Sequence, residues 1–145
     1  MIGLYSGQSF ELTENLLMAL VKDIVIDQGE TLVIDCLWRD KETKIPIDLT
    51  GCSIFLQARA AKASSSPLLI DASTTNGKIV IGTPATDGEF AITLSATYTS
   101  GLAVAAEPLA PDKRAYFELV IVSAGGVLTK LRKGNIIFNP SVYYP

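Results

Sequence analysis

Asp40 and Glu42 are the acidic pair most easily drawn as an acid–base couple. A glycoside hydrolase needs two carboxyl groups held across a cleft. Here they belong to the run Arg39-Asp40-Lys41-Glu42-Thr43-Lys44, whose alternating charges read as a solvated hairpin tip. Asp27, Glu30, Asp35 and Asp48 carry oxygens that suit calcium. Their spacing departs from an Asp-x-Asp-x-Asp-Gly loop, so turn and capping roles are expected. Asp48 in particular is expected to accept from the backbone at Thr50 or Gly51. The chain has no histidine, which removes Ser-His-Asp and Cys-His nucleophiles and imidazole zinc sites. The 2 cysteines, Cys36 and Cys52, are too few for an all-thiolate zinc site. The sequence contains no Gly-Lys-Ser/Thr phosphate loop and no dinucleotide fingerprint. The residues therefore predict no catalytic group, no metal and no cofactor, and the chain is not expected to be an enzyme.

The elements that would position such groups are short strands. Thr31 to Trp38 and Cys52 to Arg59 alternate apolar and polar residues with the period of a half-buried strand. Between them, Ile45-Pro46-Ile47-Asp48-Leu49-Thr50-Gly51 reads as a crossing, because Pro46 cannot donate to a ladder and Gly51 tolerates a tight corner. Each cysteine shares a strand face with apolar neighbours: Leu32, Ile34 and Trp38 for Cys36, Ile54 and Leu56 for Cys52. Buried thiols are expected, and a disulfide stays open until the strand neighbours are known. Trp38 is expected in the core rather than as a ligand-stacking surface. Ile24-Val25-Ile26 precedes a turn at Asp27-Gln28-Gly29-Glu30, and Leu68-Leu69-Ile70 starts a further strand. Asn76-Gly77 and Asp87-Gly88 mark tight turns before Lys78-Ile79-Val80-Ile81 and Glu89 to Leu94. Ser95 to Leu102 suggests a short helical turn, and Ala103 to Lys113 a surface loop. Ala115 to Val122 and Val127 to Phe138 form the clearest hairpin, with Gly134 a candidate bulge. Many short strands and turn signals predict an all-β chain folded as a β-sandwich.

The first 22 residues differ. Ser9 is placed to cap a helix running through Glu11 to about Lys22, with Leu12, Leu16 and Leu20 spaced four apart and Leu17 and Val21 widening the stripe. Two readings stand: a helix packed on its own sheet, or a docking segment, helical or extended, that meets another subunit. Leu4, Tyr5 and Phe10 favour the second. The expected organisation is a docking segment over 1–22, a sandwich over 23–140 and an apolar tail over 141–145 that carries Tyr143 and Tyr144.

Composition narrows the function further. At 145 residues the chain is most simply one domain, with 48% hydrophobic and only 19% charged residues. That apolar excess suggests surface buried against other subunits. A net charge of −3 argues against nucleic-acid binding, and the run Lys130, Arg132, Lys133 reads as a solvated strand face. No apolar run reaches the roughly 20 residues needed to span a bilayer, and the first residues lack a secretory signal. Synthesis in the cytoplasm, without membrane insertion, is the expectation.

An ordered set of segments resembles a phage family. Ile24-Val25-Ile26, Gln28-Gly29-Glu30-Thr31, Pro46-Ile47-Asp48-Leu49-Thr50-Gly51, Asn76-Gly77-Lys78-Ile79-Val80-Ile81, Asp87-Gly88 through Leu94-Ser95-Ala96, Ala115-Tyr116-Phe117-Glu118-Leu119 and Gly134 to Pro140 follow its order. The family is the N-terminal immunoglobulin-like domain of upper-baseplate proteins, with related small tail proteins. The segment before Asp23 and the Ala103–Pro111 stretch fall outside its pattern. The resemblance implies an immunoglobulin-like sandwich and a non-enzymatic virion protein, a tail or baseplate adaptor linking tail to fibres. Its implied partners are other tail or baseplate proteins and further copies of itself in a symmetric oligomer. Leu4, Tyr5, Phe10, Leu12, Leu16, Leu17, Leu20, Val21, Tyr143 and Tyr144 are the candidate interface residues. A capsid decoration protein and a carbohydrate-binding module using an exposed tyrosine such as Tyr98 are the alternatives.

Overall fold

The computed structural model describes residues 5–13, 20–21, 23–40, 42–60, 64–66, 68–102 and 114–139. Among these residues, ten strands, one short α-helix and a 3-10 turn at Ala85–Asp87 follow in chain order: β1 (Tyr5–Thr13), β2 (Leu20–Val21), β3 (Ile24–Asp27), β4 (Thr31–Arg39), β5 (Ser53–Arg59), β6 (Leu68–Ser73), β7 (Ile79–Ile81), β8 (Glu89–Leu94), α1 (Ala96–Ser100), β9 (Arg114–Val122) and β10 (Leu128–Asn139). They form two sheets, one ordered β1-β4-β8-β7 and the other β2-β10-β9-β5-β6, with β3 also on β10. The result is the expected immunoglobulin-like β-sandwich.

The alternation read in the sequence is what builds the core. Leu32, Ile34, Cys36 and Trp38 of β4 face Ile54, Leu56 and Ala58 of β5 and Leu119 and Ile121 of β9 in one buried cluster. The intervening residues of β4 and β5 are more exposed, as a strand with one face on a core requires. Between these strands the chain changes sheets through Ile45–Gly51, as its proline and glycine suggested. The crossing is held from both sides. Ile47 N–H donates to Trp38 O at 2.9 Å, Leu49 N–H to Ala85 O at 3.1 Å, and Leu49 itself is fully buried. Trp38 N–H in turn donates to Gly88 O at 2.9 Å.

Several local expectations hold. Ser95 caps α1, its Oγ accepting from Tyr98 N–H at 3.1 Å. Gly51, Gly77 and Gly88 take the positive φ their turns need, at 73°, 79° and 69°. The β9–β10 hairpin turns over Ser123–Val127, with Gly126 N–H donating to Ser123 O at 2.9 Å.

Three expectations are corrected. The helix predicted from Ser9 through Glu11 to Lys22 does not form over its described part. Tyr5–Thr13 is a strand parallel to β4, and Leu20–Val21 a strand parallel to β10. The Leu12, Leu16, Leu20 spacing met the helical period, but a dozen residues in isolation make a marginal helix. The strand β4 offers nine positions of unpaired backbone, and β1 takes all nine, Tyr5 against Thr31 through Thr13 against Arg39. Residues 14–19 and Lys22 of the expected helix lie outside the described residues, as does the Ala103 to Lys113 loop. Secondly, the bulge in β10 falls between Lys130 and Arg132, while Gly134 pairs regularly with Phe117. Thirdly, that bulge alters the basic run. One extra residue turns Leu131 and Arg132 both inward, to 3% and 4% exposure, so only Lys130 and Lys133 remain on a solvated face.

Two of the turn glycines separate backbone strain from crowding. A Cβ on Gly77 would meet nothing within 4 Å, whereas one on Gly88 would lie 2.5 Å from Trp38 O. Gly77→Ala should therefore cost about 1 kcal/mol, from the left-handed φ alone. Gly88→Ala should cost about 3 kcal/mol or more, because strain adds to overpacking at the crossing. Urea unfolding of the two variants measures the difference.

Candidate functional site

The carboxylates considered for chemistry are spread over the sandwich, and Asp40 and Asp48 are bonded within their own turns. Asp40 Oδ1 accepts from Glu42 N–H at 2.9 Å and Thr43 N–H at 2.8 Å, which holds its carboxyl below the usual range. Asp48 Oδ1 accepts from the Thr50 hydroxyl at 2.6 Å and from Thr50 N–H at 2.9 Å, and these bonds lower its carboxyl likewise. The backbone partner is thus Thr50, one of the two expected. Asp27 Oδ1 accepts from Asn139 Nδ2 at 2.8 Å, tying β3 to the end of β10. Asp35 stands in the middle of β4, exposed, remote in sequence and strand position from Asp48 in the crossing. Among the described residues, no three His, Cys, Asp or Glu side chains come together as a metal cluster.

Both cysteines are free thiols. Cys36 is inside β4, and Cys52 is half-buried at the end of the crossing before β5, so the two belong to opposite sheets. Burial pushes the Cys36 thiol up to about 12, with the positive charge of Arg132 opposing that rise in part. Arg132, brought inward by the β10 bulge, has its own pKa lowered by the same burial. The burial of Cys36 was expected from its strand face, but the inward Arg132 was not legible, because a basic triplet on a strand carries no sign of the register shift within it. Trp38 lies in the core at 7% exposure, as expected, and its indole N–H has no acceptor among the described residues.

Tyr98, the aromatic named for sugar stacking, is already engaged. Its hydroxyl accepts from Asp71 N–H at 3.2 Å, and Lys78 Nζ lies 4.8 Å from its ring centroid. A half-buried ring occupied on its face and at its tip is a poor platform for a sugar.

The candidate interface residues divide between the sheets and the undescribed ends. Tyr5, Phe10 and Leu12 lie in β1, and Leu20 and Val21 in β2. Leu4, Leu16, Leu17, Tyr143 and Tyr144 lie outside the described residues. Strand directions nevertheless place the points of attachment. Tyr5 pairs with Thr31 and Asn139 with Asp27, on either side of the Asp27–Glu30 turn. The described chain therefore starts and finishes at one pole of the sandwich. α1 closes the same pole: Thr99 Oγ1 donates to Glu30 O at 2.9 Å and accepts from Gly29 N–H at 3.1 Å. The opposite pole, formed by the crossing and the β9–β10 turn, exposes Ile45, Val127 and Leu128 at 62%, 65% and 57%.

No protein-family model matches this sequence, and no curated protein is similar to it by sequence. Among solved structures, the chain is similar to one described as the N-terminal domain of phage TP901-1 ORF48. The match has a TM-score of 0.44 and 13% identity, and it covers 92% of this chain and 98% of that one.

Two outcomes follow from these environments. A thiol at about 12 holds roughly a thousandfold less reactive thiolate than an ordinary one. A thiol reagent should modify Cys52 readily in the native protein and Cys36 only after unfolding, as peptide mass spectrometry would read. Asp48 has its carboxyl lowered in the fold. Its contribution is therefore complete above the ordinary carboxylate range and is lost as pH falls through the lowered value. Asp48→Asn should accordingly lose less stability than the wild type below about pH 4, in urea titrations across a pH series.

Proposed function

We propose that this protein is a non-enzymatic structural component of a bacteriophage virion, an adaptor of the tail or baseplate that joins the tail to its fibres. The observation that carries the reading is the ordered set of segments similar to upper-baseplate immunoglobulin-like domains. Those segments fall on the positions that define the sandwich. Asp27–Glu30 is the turn between the sheets, Pro46–Gly51 is part of the crossing, and Asn76-Gly77 and Asp87-Gly88 are the positive-φ turns. A set of residues bound to turns and crossings specifies a scaffold rather than a reaction.

The mechanism is burial of apolar surface between subunits. The segments bearing Leu4 and the pair Tyr143 and Tyr144 attach at the pole where β1 begins and β10 ends. A symmetric assembly would repeat the pole where β1 begins and β10 ends around its axis. Aromatic anchors of this kind supply most of the affinity in interfaces of about 800 Å² per partner.

Mass spectrometry of separated heads and tails from purified particles tests the assignment. The adaptor role places the chain in the tail fraction, whereas recovery with heads would mean a capsid decoration protein. Tyr143→Ser combined with Tyr144→Ser should lower incorporation at least about tenfold while leaving the unfolding transition in place. Undiminished incorporation of that variant would remove the tail from the interface.

A further inference from the structure

The six-stranded sheet ends differently on its two sides. At one side β10 is covered by β2 and β3; at the other, no described strand lies beyond β6. Its sequence, Leu-Leu-Ile-Asp-Ala-Ser, is aliphatic with a single charge, and Leu68 is 41% exposed. Such a strand is a template for pairing with another chain.

The backbone groups that would do the pairing can be identified. Thr74 N–H donates to Ile54 O at 3.0 Å, so Ile70 and Ala72, in regular register with Ala58 and Leu56, direct their backbone groups to β5; a register shift between Ala58 and Arg59 ends this alternation towards Leu68. Asp71 and Ser73 then direct theirs outward. Both of these positions are met by side chains of this chain. Asp71 N–H donates to the Tyr98 hydroxyl at 3.2 Å, and Asp71 O accepts from Asn76 Nδ2 at 2.9 Å. Ser73 N–H donates to Asn76 Oδ1 at 3.0 Å. Each capping residue is itself fixed. The Tyr98 ring lies under Lys78, and its helix is bonded to the Glu30 carbonyl through Thr99. Asn76 is held by its own amide, which donates to Ser73 Oγ at 3.1 Å.

We propose that Tyr98 and Asn76 form a built-in plug that keeps β6 from pairing with the same strand of a second copy of this chain. The partner is a second copy because two-fold association brings identical strands together, and this strand is apolar enough to extend the sheet. The plug is autoinhibitory: it fills the outward hydrogen-bonding positions while leaving the strand's core face unchanged. The proposal stands apart from any virion role, since it concerns the isolated chain.

The test uses the full-length protein. Tyr98→Phe keeps the ring and loses only the hydroxyl, so the Asp71 amide should exchange with solvent at least about tenfold faster, read by NMR. Tyr98→Phe combined with Asn76→Asp also removes the donor to Asp71 O. That double variant should show concentration-dependent growth in sedimentation velocity that the wild type lacks. Adding Leu68→Lys should reverse it by placing like charges along the new contact. Unchanged exchange at Asp71 in the single variant would overturn the proposal. So would a folded double variant that sediments as the wild type does, or association that Leu68→Lys leaves intact.

Discussion

A sandwich of two sheets has four outer strands, and each presents a row of backbone groups that must be bonded, blocked or kept short. That constraint organises this protein. The nine residues of β1 cover β4 in parallel. Strands β2 and β3 cover β10 with one constant register: 132 − 20 and 136 − 24 both give an offset of 112. Asp23 and Asp27 add side-chain bonds to Asn135 and Asn139 along the same line. On the other side, β7 is only three residues long, and β6 is met by Tyr98 and Asn76. The open sides of β4 and β10 are thus covered by added strands, whereas β7 is short and β6 is capped by side chains.

β1, β2 and β3 are therefore a clasp. β1 descends along one sheet, β2 and β3 ascend along the other, and the Asp27–Glu30 turn leads over the pole into β4. At the opposite pole the crossing performs the complementary task of carrying the chain between sheets. It does so with the N–H groups of Trp38, Ile47 and Leu49 all bonded: Gly88 O and Ala85 O accept from Trp38 and Leu49, and Trp38 O accepts from Ile47. With both poles closed, β1 begins and β10 ends beside the Asp27–Glu30 turn.

Much of this was legible in the residues. Alternation marked β4 and β5, and Pro46 with Gly51 marked the crossing. Asn76-Gly77 and Asp87-Gly88 marked turns whose glycines have positive φ. These signals are local, and local physics decided them. What was not legible depended on distant partners. The segment Tyr5–Thr13 has no strong period of its own, and its state is set by the open side of a strand 26 residues later (Thr31 against Tyr5). The inward turn of Arg132 follows from a bulge whose position only the pairing with β9 reveals. Tyr98 and Asn76 reach backbone groups that no sequence pattern names. An Asn-Gly turn near a strand end was visible, but not that its asparagine also covers the strand.

The fold depends on β1 covering the open side of β4. Amide exchange along β4 in the full-length protein tests this most directly. Trp38 N–H donates to Gly88 O, so the even-numbered amides of β4 face β8, and those of Val33, Asp35 and Leu37 face β1. The account predicts slow exchange for both sets. Protection of the even set alone, with Val33, Asp35 and Leu37 exchanging at the rate of an uncovered strand, would contradict it.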